Sequence, residues 1–436
     1  MKSTETIYAL ASAPGKSGVA VFRISGPEAK AALKALGVEK PLEPRLATLV
    51  TLRNKTQIID QAIALAFPAP HSFSGEDVIE LHTHGSRAVT KLLLEALNGV
   101  SGLRLAEAGE FARRAFLNGK LDLLEAEGLA DLIDAETTSQ HAQATRQFGG
   151  QATARIEALR EKILEPLALL EAYIDFPDEE IPESVLAQTQ ERVAALSKEI
   201  RGFLDDRHIG EKIREGLEIV IIGPPNAGKS SLLNALAKRD AAIVSAEPGT
   251  TRDLIEVHME IAGYAVTLVD TAGLRETENA IEAEGIRRAQ ERADKADFTL
   301  YLQDIENINH FCHKQLGSDA LMLATKSDLA PLPDLPFPIL PISVRTGAGM
   351  EELIAALTGR IAAKMEGYGS PLITRARHRE ALKLALQNLE KFTMNSALEL
   401  ACEELRLAAR HIGRITGKVA VDDVLDLVFS RFCIGK

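Results

Sequence analysis

The 436-residue chain contains no tryptophan, only three cysteines and few aromatic residues, which make up 4% of the sequence. Cys312, Cys402 and Cys433 are far apart in the chain and show no CxxC spacing. We therefore expect neither a disulfide framework nor a structural zinc site, and we expect the protein to reside in the reducing cytoplasm. No apolar run reaches about 18 residues without a charge, so no membrane span is expected. The short apolar patch at residues 7–11 makes a poor signal peptide.

Basic residues are fewer than acidic ones, and the formal net charge is −12 at pH 7. Proteins that bind nucleic acid directly are usually basic. Any contact with nucleic acid must therefore use a local basic patch or a partner protein. The length is too great for one compact core and predicts two to four domains.

The residue pattern changes twice along the chain. Residues 1–118 mix strand-like runs with one helical segment at 86–99, which predicts a small α+β domain. Residues 119–213 and 370–436 carry apolar residues at helical spacing, whereas strand and helix patterns alternate over 214–369. Two amphipathic segments that flank an α/β segment predict one split, all-α helical domain with an α/β domain inserted into it.

The α/β segment contains a complete phosphate-binding pattern in the sequence GPPNAGKS. Gly223, Gly228, Lys229 and Ser230 satisfy G-x-x-x-x-G-K-[ST], with an apolar strand before the pattern and a helix after it. Glycines let backbone N–H groups approach phosphates, and the helix N-terminus adds positive potential. Lys229 is expected to contact the β- and γ-phosphates and Ser230 to bind Mg²⁺.

Two further segments are expected to face the phosphates. In DTAG (270–273), Asp270 is placed to hold Mg²⁺ through water, and the Gly273 N–H is placed to sense the γ-phosphate. In GTTRD (249–253), the Thr251 hydroxyl is expected to complete the Mg²⁺ shell. Segments that respond to the γ-phosphate are typical of a nucleotide-driven switch.

The segment TKSD (325–328) predicts that the base is guanine. The Asp328 carboxylate can accept hydrogen bonds from the N1–H and 2-amino groups of guanine, and adenine lacks that donor pair. The first position, which is usually Asn, is Thr325 here, and this departure is expected to weaken base affinity somewhat. SVR (343–345) follows another strand and fits the last loop that contacts guanine. Together the segments predict a P-loop GTPase that uses GTP rather than ATP.

The residues leave the hydrolytic group open. Many small GTPases place Gln after the switch glycine to orient water, but Leu274 stands there. Candidates to replace it are the acids of the next loop, Glu276, Glu278, Glu282 and Glu284. Asn226 is either a ligand of a monovalent cation beside the phosphates or a turn-forming residue.

Several of these segments together carry a family resemblance. GPPNAGKS, GTTRD, DTAGLRE, the N-terminal PGKSGVAVFRISG and the chain end RFCIGK resemble the MnmE (TrmE) family, tRNA uridine-5-carboxymethylaminomethyl modification GTPases of the TrmE-Era-EngA-like class. The resemblance covers essentially the whole chain. It implies an N-terminal folate-binding domain that dimerises, a split helical domain and a GTPase (G) domain. It also implies a homodimer that works with MnmG (GidA), an FAD protein, on C5 of the wobble uridine of certain tRNAs.

The resemblance also implies site residues by position. A K⁺ site would use Asn226, Ser245, Glu247 and Thr250, and Glu282 would orient water. Position 245 is commonly Thr in the family. The tetrahydrofolate site, for a 5-formyl or methylene derivative, would use Arg23, Glu80, Lys120 and Lys436. Mg²⁺ would bind Ser230 and Thr251. The GTP set is Asn226, Ala227, Gly228, Lys229, Ser230, Ser231, Ser245, Thr250, Thr251, Asp270, Thr271, Ala272, Gly273, Thr325, Lys326, Asp328, Ser343, Val344 and Arg345.

Other features keep two interpretations. Cys433 is a reactive thiol of the modification chemistry or an inert cysteine. His82 and His84 share a strand face with Glu80, and they are either metal ligands or surface residues. A basic stripe recurs every four residues at Arg406, Arg410, Arg414 and Lys418. This stripe is either a solvated helix face or a contact for tRNA phosphates. The alternative function is that of a ribosome-assembly or other RNA-associated regulatory GTPase.

Overall fold

The computed structural model describes residues 5–175, 183–238, 255–270, 291–310, 319–366, 371–394, 397–419, 425, 428–430 and 432–435. Contacts divide the chain into two compact units. The first unit is Met1–Ala130, Arg146–Val193 and Gln387–Lys436, and the second is Asp131–Thr145 and Ala194–Leu386. Among the described residues, no helix is both long enough and apolar enough to cross a membrane.

The first unit contains a six-stranded mixed sheet. Its strands are β1 (Thr6–Leu10), β2 (Ser17–Ser25), β3 (Thr48–Asn54), β4 (Gln57–Phe67), β5 (Val78–Gly85) and β6 (Leu103–Leu105), in the order β3-β4-β5-β2-β1-β6. All neighbours are antiparallel except β1 and β6, which are parallel. In β5, Leu81 and Thr83 are buried, whereas Glu80, His82 and His84 alternate with them on the more exposed face. The period of two that the sequence shows there is the period of a strand with one buried face.

Three short helices accompany this sheet: α1 (Ala29–Ala35), α2 (Arg87–Asn98) and α3 (Glu110–Leu117). Helix α2 begins after Ser86, whose Oγ accepts a hydrogen bond from the Val89 N–H at 3.1 Å, and it ends at Gly99. Leu93 and Leu97 lie one turn apart on its buried face. The helix predicted at 86–99 is confirmed, and with the sheet it confirms the α+β class of the N-terminal segment.

Helices dominate the segments on both sides of the second sheet in the sequence. The helices before this sheet are α4 (Leu123–Asp134), α5 (Thr138–Phe148), α6 (Gln151–Asp175), α7 (Glu183–Leu204) and α8 (Ile209–Glu215). Helices α9 (Lys229–Ala237) and α10 (Met350–Met365) belong to the α/β part itself. The helices after it are α11 (Ala376–Lys391) and α12 (Leu398–Thr416). The predicted apolar stripe of α6 is buried, from Ile156 to Leu170. Helix α6 ends at Asp175 and α7 begins at Glu183, and residues 176–182, in the acidic, proline-containing segment where a break is expected, lie outside the described residues.

The second unit contains a mostly parallel sheet. Its strands are β7 (Leu217–Ile222), β8 (Ile255–Ile261), β9 (Tyr264–Asp270), β10 (Phe298–Asp304), β11 (Ala320–Thr325) and β12 (Leu340–Pro341), in the order β12-β11-β10-β7-β9-β8. Only β8 and β9 are antiparallel neighbours. The carboxyl ends of β7, β9, β10 and β11 therefore meet at one edge, where ligands of α/β sheets bind. The predicted multidomain class, with an α+β part, helices and an α/β P-loop part, is confirmed; the domain bounds at 118, 213 and 370 stay a prediction.

Candidate functional sites

The phosphate-binding loop joins β7 to α9 in a conformation that requires its glycines. Gly223 has φ +153°, and a Cβ atom there would lie 2.3 Å from the Leu302 carbonyl oxygen. Gly228 has φ +89° and immediately precedes the first residue of α9. Asn226, which is exposed, has φ +62°, a left-handed value that Asn tolerates better than most residues. The backbone thus turns sharply enough to direct the N-terminus of α9 into the loop.

Lys229 lies inside this loop. Its side chain is 8% exposed, and Nζ donates hydrogen bonds to the carbonyl oxygens of Gly223 at 2.8 Å and Pro224 at 2.9 Å. These contacts place a cation at the head of a nine-residue helix. A positive side chain and a helix N-terminus at one point form an anion site.

Ser230 and Asp270 come together at the carboxyl edge of the sheet. Asp270 ends β9, is fully buried, and pairs in register with Ile221 of β7. Its Oδ2 accepts a hydrogen bond from Ser230 Oγ at 2.6 Å. A hydroxyl and a carboxylate are the oxygen donors that Mg²⁺ prefers, so the residues present fit the predicted ion.

The guanine side of the site is built from the loops after β11 and β12. Asp328 Oδ1 accepts a hydrogen bond from Ser343 Oγ at 2.6 Å, and Oδ2 pairs with Arg345 at 2.5 Å. A carboxylate offers about four lone-pair positions, so two stay available for the donor pair of guanine. The Ser343 hydrogen bond above all, together with Arg345, lowers the pKa of Asp328 below its ordinary value. Both partners thus favour the carboxylate form, which is the form that accepts from guanine.

Thr325 has a structural role that its sequence position did not reveal. Its hydroxyl donates to the Ala227 carbonyl oxygen at 2.8 Å and lies 3.3 Å from the Gln303 carbonyl oxygen. Ala227 belongs to the phosphate-binding loop, so Thr325 connects that loop to the guanine loop. Thr325, which replaces the usual Asn, is 4% exposed, and its hydroxyl is already hydrogen-bonded within the protein.

A second candidate site lies on the sheet of the first unit. Arg23 and Glu80 are direct partners across β2 and β5, and Arg23 donates from Nε at 3.0 Å and from NH2 at 2.8 Å to Glu80 Oε1. The Arg23 guanidinium also lies 5.2 Å from the ring centre of Phe73 and 5.7 Å from that of Phe111. Sequence reasoning missed both aromatic residues, because neither belongs to a recognisable pattern. The result is a paired cation and anion beside two aromatic faces.

The end of the chain packs against the same unit. Ile434 forms a β-bridge with Ala108, and the Gly109 N–H donates to the Cys433 carbonyl oxygen at 3.5 Å. Gly435 has φ +104°, and a Cβ atom there would lie 2.2 Å from the Leu10 carbonyl oxygen. Position 435 therefore requires glycine, and the chain passes close to β1 immediately before Lys436. Cys433 itself is exposed.

Two models of known families match the chain. The model described as the MnmE helical domain matches residues 123–433, and the one described as the N-terminus of the GTP-binding protein TrmE matches residues 6–120. The tRNA modification GTPase MnmE of Parvibaculum lavamentivorans is 51% identical over 441 residues, which cover 99% of this chain and 100% of that protein. The chain belongs to the MnmE family.

Other relatives agree with this membership. MnmE of Paramagnetospirillum magneticum is 48% identical, over 99% of this chain and 100% of that protein. A separate comparison with solved structures finds the G domain of the FeoB iron transporter of T. maritima, which is 26% identical over 33% of this chain and 98% of that chain, with a TM-score of 0.27. As a member of the MnmE family the chain binds GTP and is a GTP hydrolase, which confirms the predicted nucleotide and enzyme class.

Several residues of the MnmE-based prediction lie outside the described residues. They are Ser245, Glu247, Thr250, Thr251, Thr271, Ala272, Gly273, Glu282 and Lys436, together with Leu274 and the other candidate acids. Of the K⁺ ligands, the structure describes only Asn226. Ser231 lies in the first turn of α9 and Val344 in the loop after β12. Lys120 is exposed with its stem near Gly75, because a Cβ atom on Gly75 would lie 3.3 Å from Lys120 Cγ. These site assignments stay predictions.

Of the two histidines of β5, His84 has a hydrogen-bond partner other than a metal. His84 Nδ1 lies 2.9 Å from Asp60 Oδ1, whereas His82 Nε2 lies 3.7 Å from Glu80 Oε2, beyond hydrogen-bond distance. Within the described ranges, no cluster of three or more His, Cys, Asp or Glu side chains is arranged to hold a metal ion. The geometry therefore favours the surface interpretation for His84.

The basic stripe on α12 is partly neutralised by acids of α6. Arg406 pairs with Glu171 at 2.7 Å, and Lys418 pairs with Glu157 at 2.8 Å. All four basic side chains of the stripe are exposed. Burial, followed by Arg414 and Arg410, lowers the pKa of His411, which lies between them. A tRNA contact by the stripe stays a hypothesis.

Proposed function

We propose that the protein couples GTP hydrolysis to modification of C5 of the wobble uridine of certain tRNAs, giving an aminomethyl or carboxymethylaminomethyl group. Membership of the MnmE family carries this proposal, and the convergence of Lys229, Ser230, Asp270 and Asp328 at one sheet edge supports its GTPase part. The modification requires the FAD-dependent partner MnmG (GidA) and takes place in the cytoplasm.

In the GTPase reaction, Lys229 and the N-terminus of α9 stabilise negative charge on the phosphates. Ser230 would hold Mg²⁺ with Thr251, which lies outside the described residues, and Asp270 would act on the ion through water. Bound there, Mg²⁺ would supply charge neutralisation to the phosphates. Asp328 selects guanine. Glu282 orients the attacking water, and K⁺ bound by Asn226, Ser245, Glu247 and Thr250 supports turnover.

The Arg23 site is proposed to hold the tetrahydrofolate one-carbon donor. The Glu80 carboxylate can accept hydrogen bonds from the amino and ring N–H groups of a pterin, and the partly exposed ring of Phe73 offers an apolar face beside it. Phe111 is fully buried and supports the Arg23 guanidinium from the protein side. Lys120 and Lys436 would add positive charge for the carboxylates of folate. The apolar side chains of Leu49 and Ile63, 72% and 42% exposed and opposite each other on β3 and β4, suit a first unit that contacts a second copy in a homodimer.

The tRNA product is tested directly in cells. Mass analysis of the wobble uridine in tRNA from cells that lack the protein should show loss of the aminomethyl group, and expression of the wild-type chain should restore it. An unchanged uridine in those cells would refute the proposal.

The folate part has a separate test. Equilibrium binding of 5-formyltetrahydrofolate should weaken strongly in Arg23→Met and Glu80→Gln. Arg45→Met is the matched control, because Arg45 also lies over an aromatic ring, 5.6 Å from the Phe67 centre. Equal binding by all variants would remove folate from this site.

Cation and water-orienting roles are tested by turnover. GTPase rates in KCl should exceed those in NaCl, and Asn226→Ala should abolish the difference. Glu282→Ala should retain GTP affinity but lose most turnover. Equal rates in both salts, or wild-type turnover of Glu282→Ala, would reassign these residues.

A further inference from the structure

Asp304 lies between the two halves of the nucleotide site. It is the last residue of β10 and pairs in register with Thr325, the last residue of β11. Strand β10 also pairs with β7, which leads into the phosphate-binding loop. Asp304 therefore stands at the carboxyl edge of the sheet beside the guanine loop, although it belongs to none of the GTPase motifs.

Both carboxylate oxygens of Asp304 are engaged. Oδ1 accepts a hydrogen bond from the Glu306 N–H at 3.1 Å, at the start of the 3₁₀ helix Ile305–His310. Oδ2 accepts from the ammonium group of Lys326, and the Asp304 side chain is 12% exposed. A nearly buried carboxylate that is fixed by its own backbone gives the lysine one defined partner position.

Lys326 is the residue of the guanine loop that needs such a partner. Its φ is +58°, a left-handed value that costs a non-glycine residue free energy. The loop backbone around it is held by the Ser327 N–H, which donates to the Ile342 carbonyl at 3.1 Å, and by the Leu329 N–H, which donates to the Lys326 carbonyl at 2.9 Å. Among the described residues, the side-chain charge of Lys326 is paired by Asp304.

We propose that Asp304 is a positioning residue for the guanine nucleotide. By pairing with the ammonium group, it fixes the lysine so that the four-carbon stem, rather than the charge, faces the base. The stem then covers the guanine ring while Asp328 binds its edge. Asp304 acts through Lys326 and does not touch the nucleotide.

This role makes a specific kinetic prediction. The base is held equally in GTP, in GDP and in the transition state at the γ-phosphate, so the loss of Asp304 removes uniform binding. Asp304→Asn should therefore raise the Kd of GTP and of GDP by the same factor, about tenfold for a lost charge-assisted hydrogen bond. KM should rise with it, and kcat should stay unchanged.

The experiment is a double-mutant cycle on the full chain. Titration calorimetry with GTP and with GDP would compare the wild type, Asp304→Asn, Lys326→Met and the double variant. If Asp304 acts through Lys326, the Asn substitution should have no further effect once the lysine is replaced. Asp304→Glu, which retains the charge, should recover part of the affinity.

Asp319→Asn is the matched control. Asp319 directly precedes β11, at the opposite end of that strand, and pairs with Lys364 at 3.6 Å while 65% exposed. Its substitution should leave both Kd values unchanged. Additive effects of Asp304→Asn and Lys326→Met, or a fall in kcat at unchanged KM, would overturn the proposal. A thermal unfolding midpoint for each variant separates a loss of fold from a loss of binding.

Discussion

The two candidate sites use different parts of their sheets. In the second unit, Asp328 and Ser343 lie in loops that follow parallel strands, and Lys229 begins the helix after such a loop; their contacts are largely with loop residues. In the first unit, Arg23 and Glu80 lie within strands and face each other across an antiparallel pair. One site depends on loop conformation, whereas the other depends on strand register.

The surroundings of the two sites differ in the same way. Beneath the Arg23 site, Arg114 is 5% exposed and pairs with Glu76 at 3.0 Å and Glu110 at 3.0 Å, and Ser25 Oγ donates to Glu76 Oε2 at 2.7 Å. This buried ionic network holds segment 72–76, which carries Phe73. Substitutions should therefore cost binding in the loop site, and folding free energy as well in the strand site.

The largest effect is expected at Lys229. Lys229→Met should lower GTP turnover by about 10²–10³-fold, because a preorganised cation at the developing phosphate charge is lost. The free energy of unfolding should change little. Lys238→Met, at the exposed end of the same helix, is the control and should hydrolyse GTP normally. A Lys229→Met variant that keeps full turnover would contradict the assigned role.

The opposite result is expected for the ionic network. Arg114→Met should reduce the free energy of unfolding of the first unit by about 3 kcal/mol, because Glu76 and Glu110 lose a buried partner. GTP turnover should stay within about twofold of the wild type. Denaturant unfolding measures this change, with the exposed Arg87→Met as the control. Equal free energies of unfolding for the two variants would show that the ionic network does not stabilise the first unit.

The pH dependence of the network follows from Glu110. Burial raises the pKa of Glu110, but hydrogen bonds from Arg104, the Glu107 N–H and Arg114 together lower it below the ordinary value. A lowered folded-state pKa stabilises the protein above the unfolded pKa, and this stabilisation is lost as pH falls through the folded value. Glu110→Gln should therefore show a shallower loss of stability in acid than the wild type. A parallel loss in both proteins would assign acid sensitivity to other groups.

The smallest effect is expected at Ser343. Ser343→Ala removes the main cause of the lowered pKa of Asp328, so the carboxyl should protonate at a higher pH than in the wild type. At neutral pH the variant should bind GTP about fivefold more weakly than the wild type. As the pH is lowered, the GTP affinity of the variant should begin to fall at a higher pH than that of the wild type. Identical pH profiles would mean that Arg345 alone maintains the charge.

The same comparison explains what the sequence could predict. The phosphate loop is eight consecutive residues between a strand and a helix, so Lys229 and Ser230 were identified by spacing alone. Arg23 and Glu80 are 57 residues apart and meet only through strand pairing, so a family resemblance was needed to single them out. Phe73, Phe111 and Asp304 carry no motif, because their roles come from packing and register. The hydroxyl bond from Thr325 to Ala227 likewise depends on the proximity of two loops in space.

Nucleotide selection by Asp328→Asn in the full chain tests the central claim most directly. The carboxamide can accept from N1–H and donate to the C2 carbonyl of xanthine, but it meets the 2-amino group of guanine with a donor. We expect kcat/KM for GTP to fall by at least about 100-fold and XTP to become the preferred substrate. A variant that still preferred GTP would show that Asp328 does not choose the base, and the account of this site would be wrong.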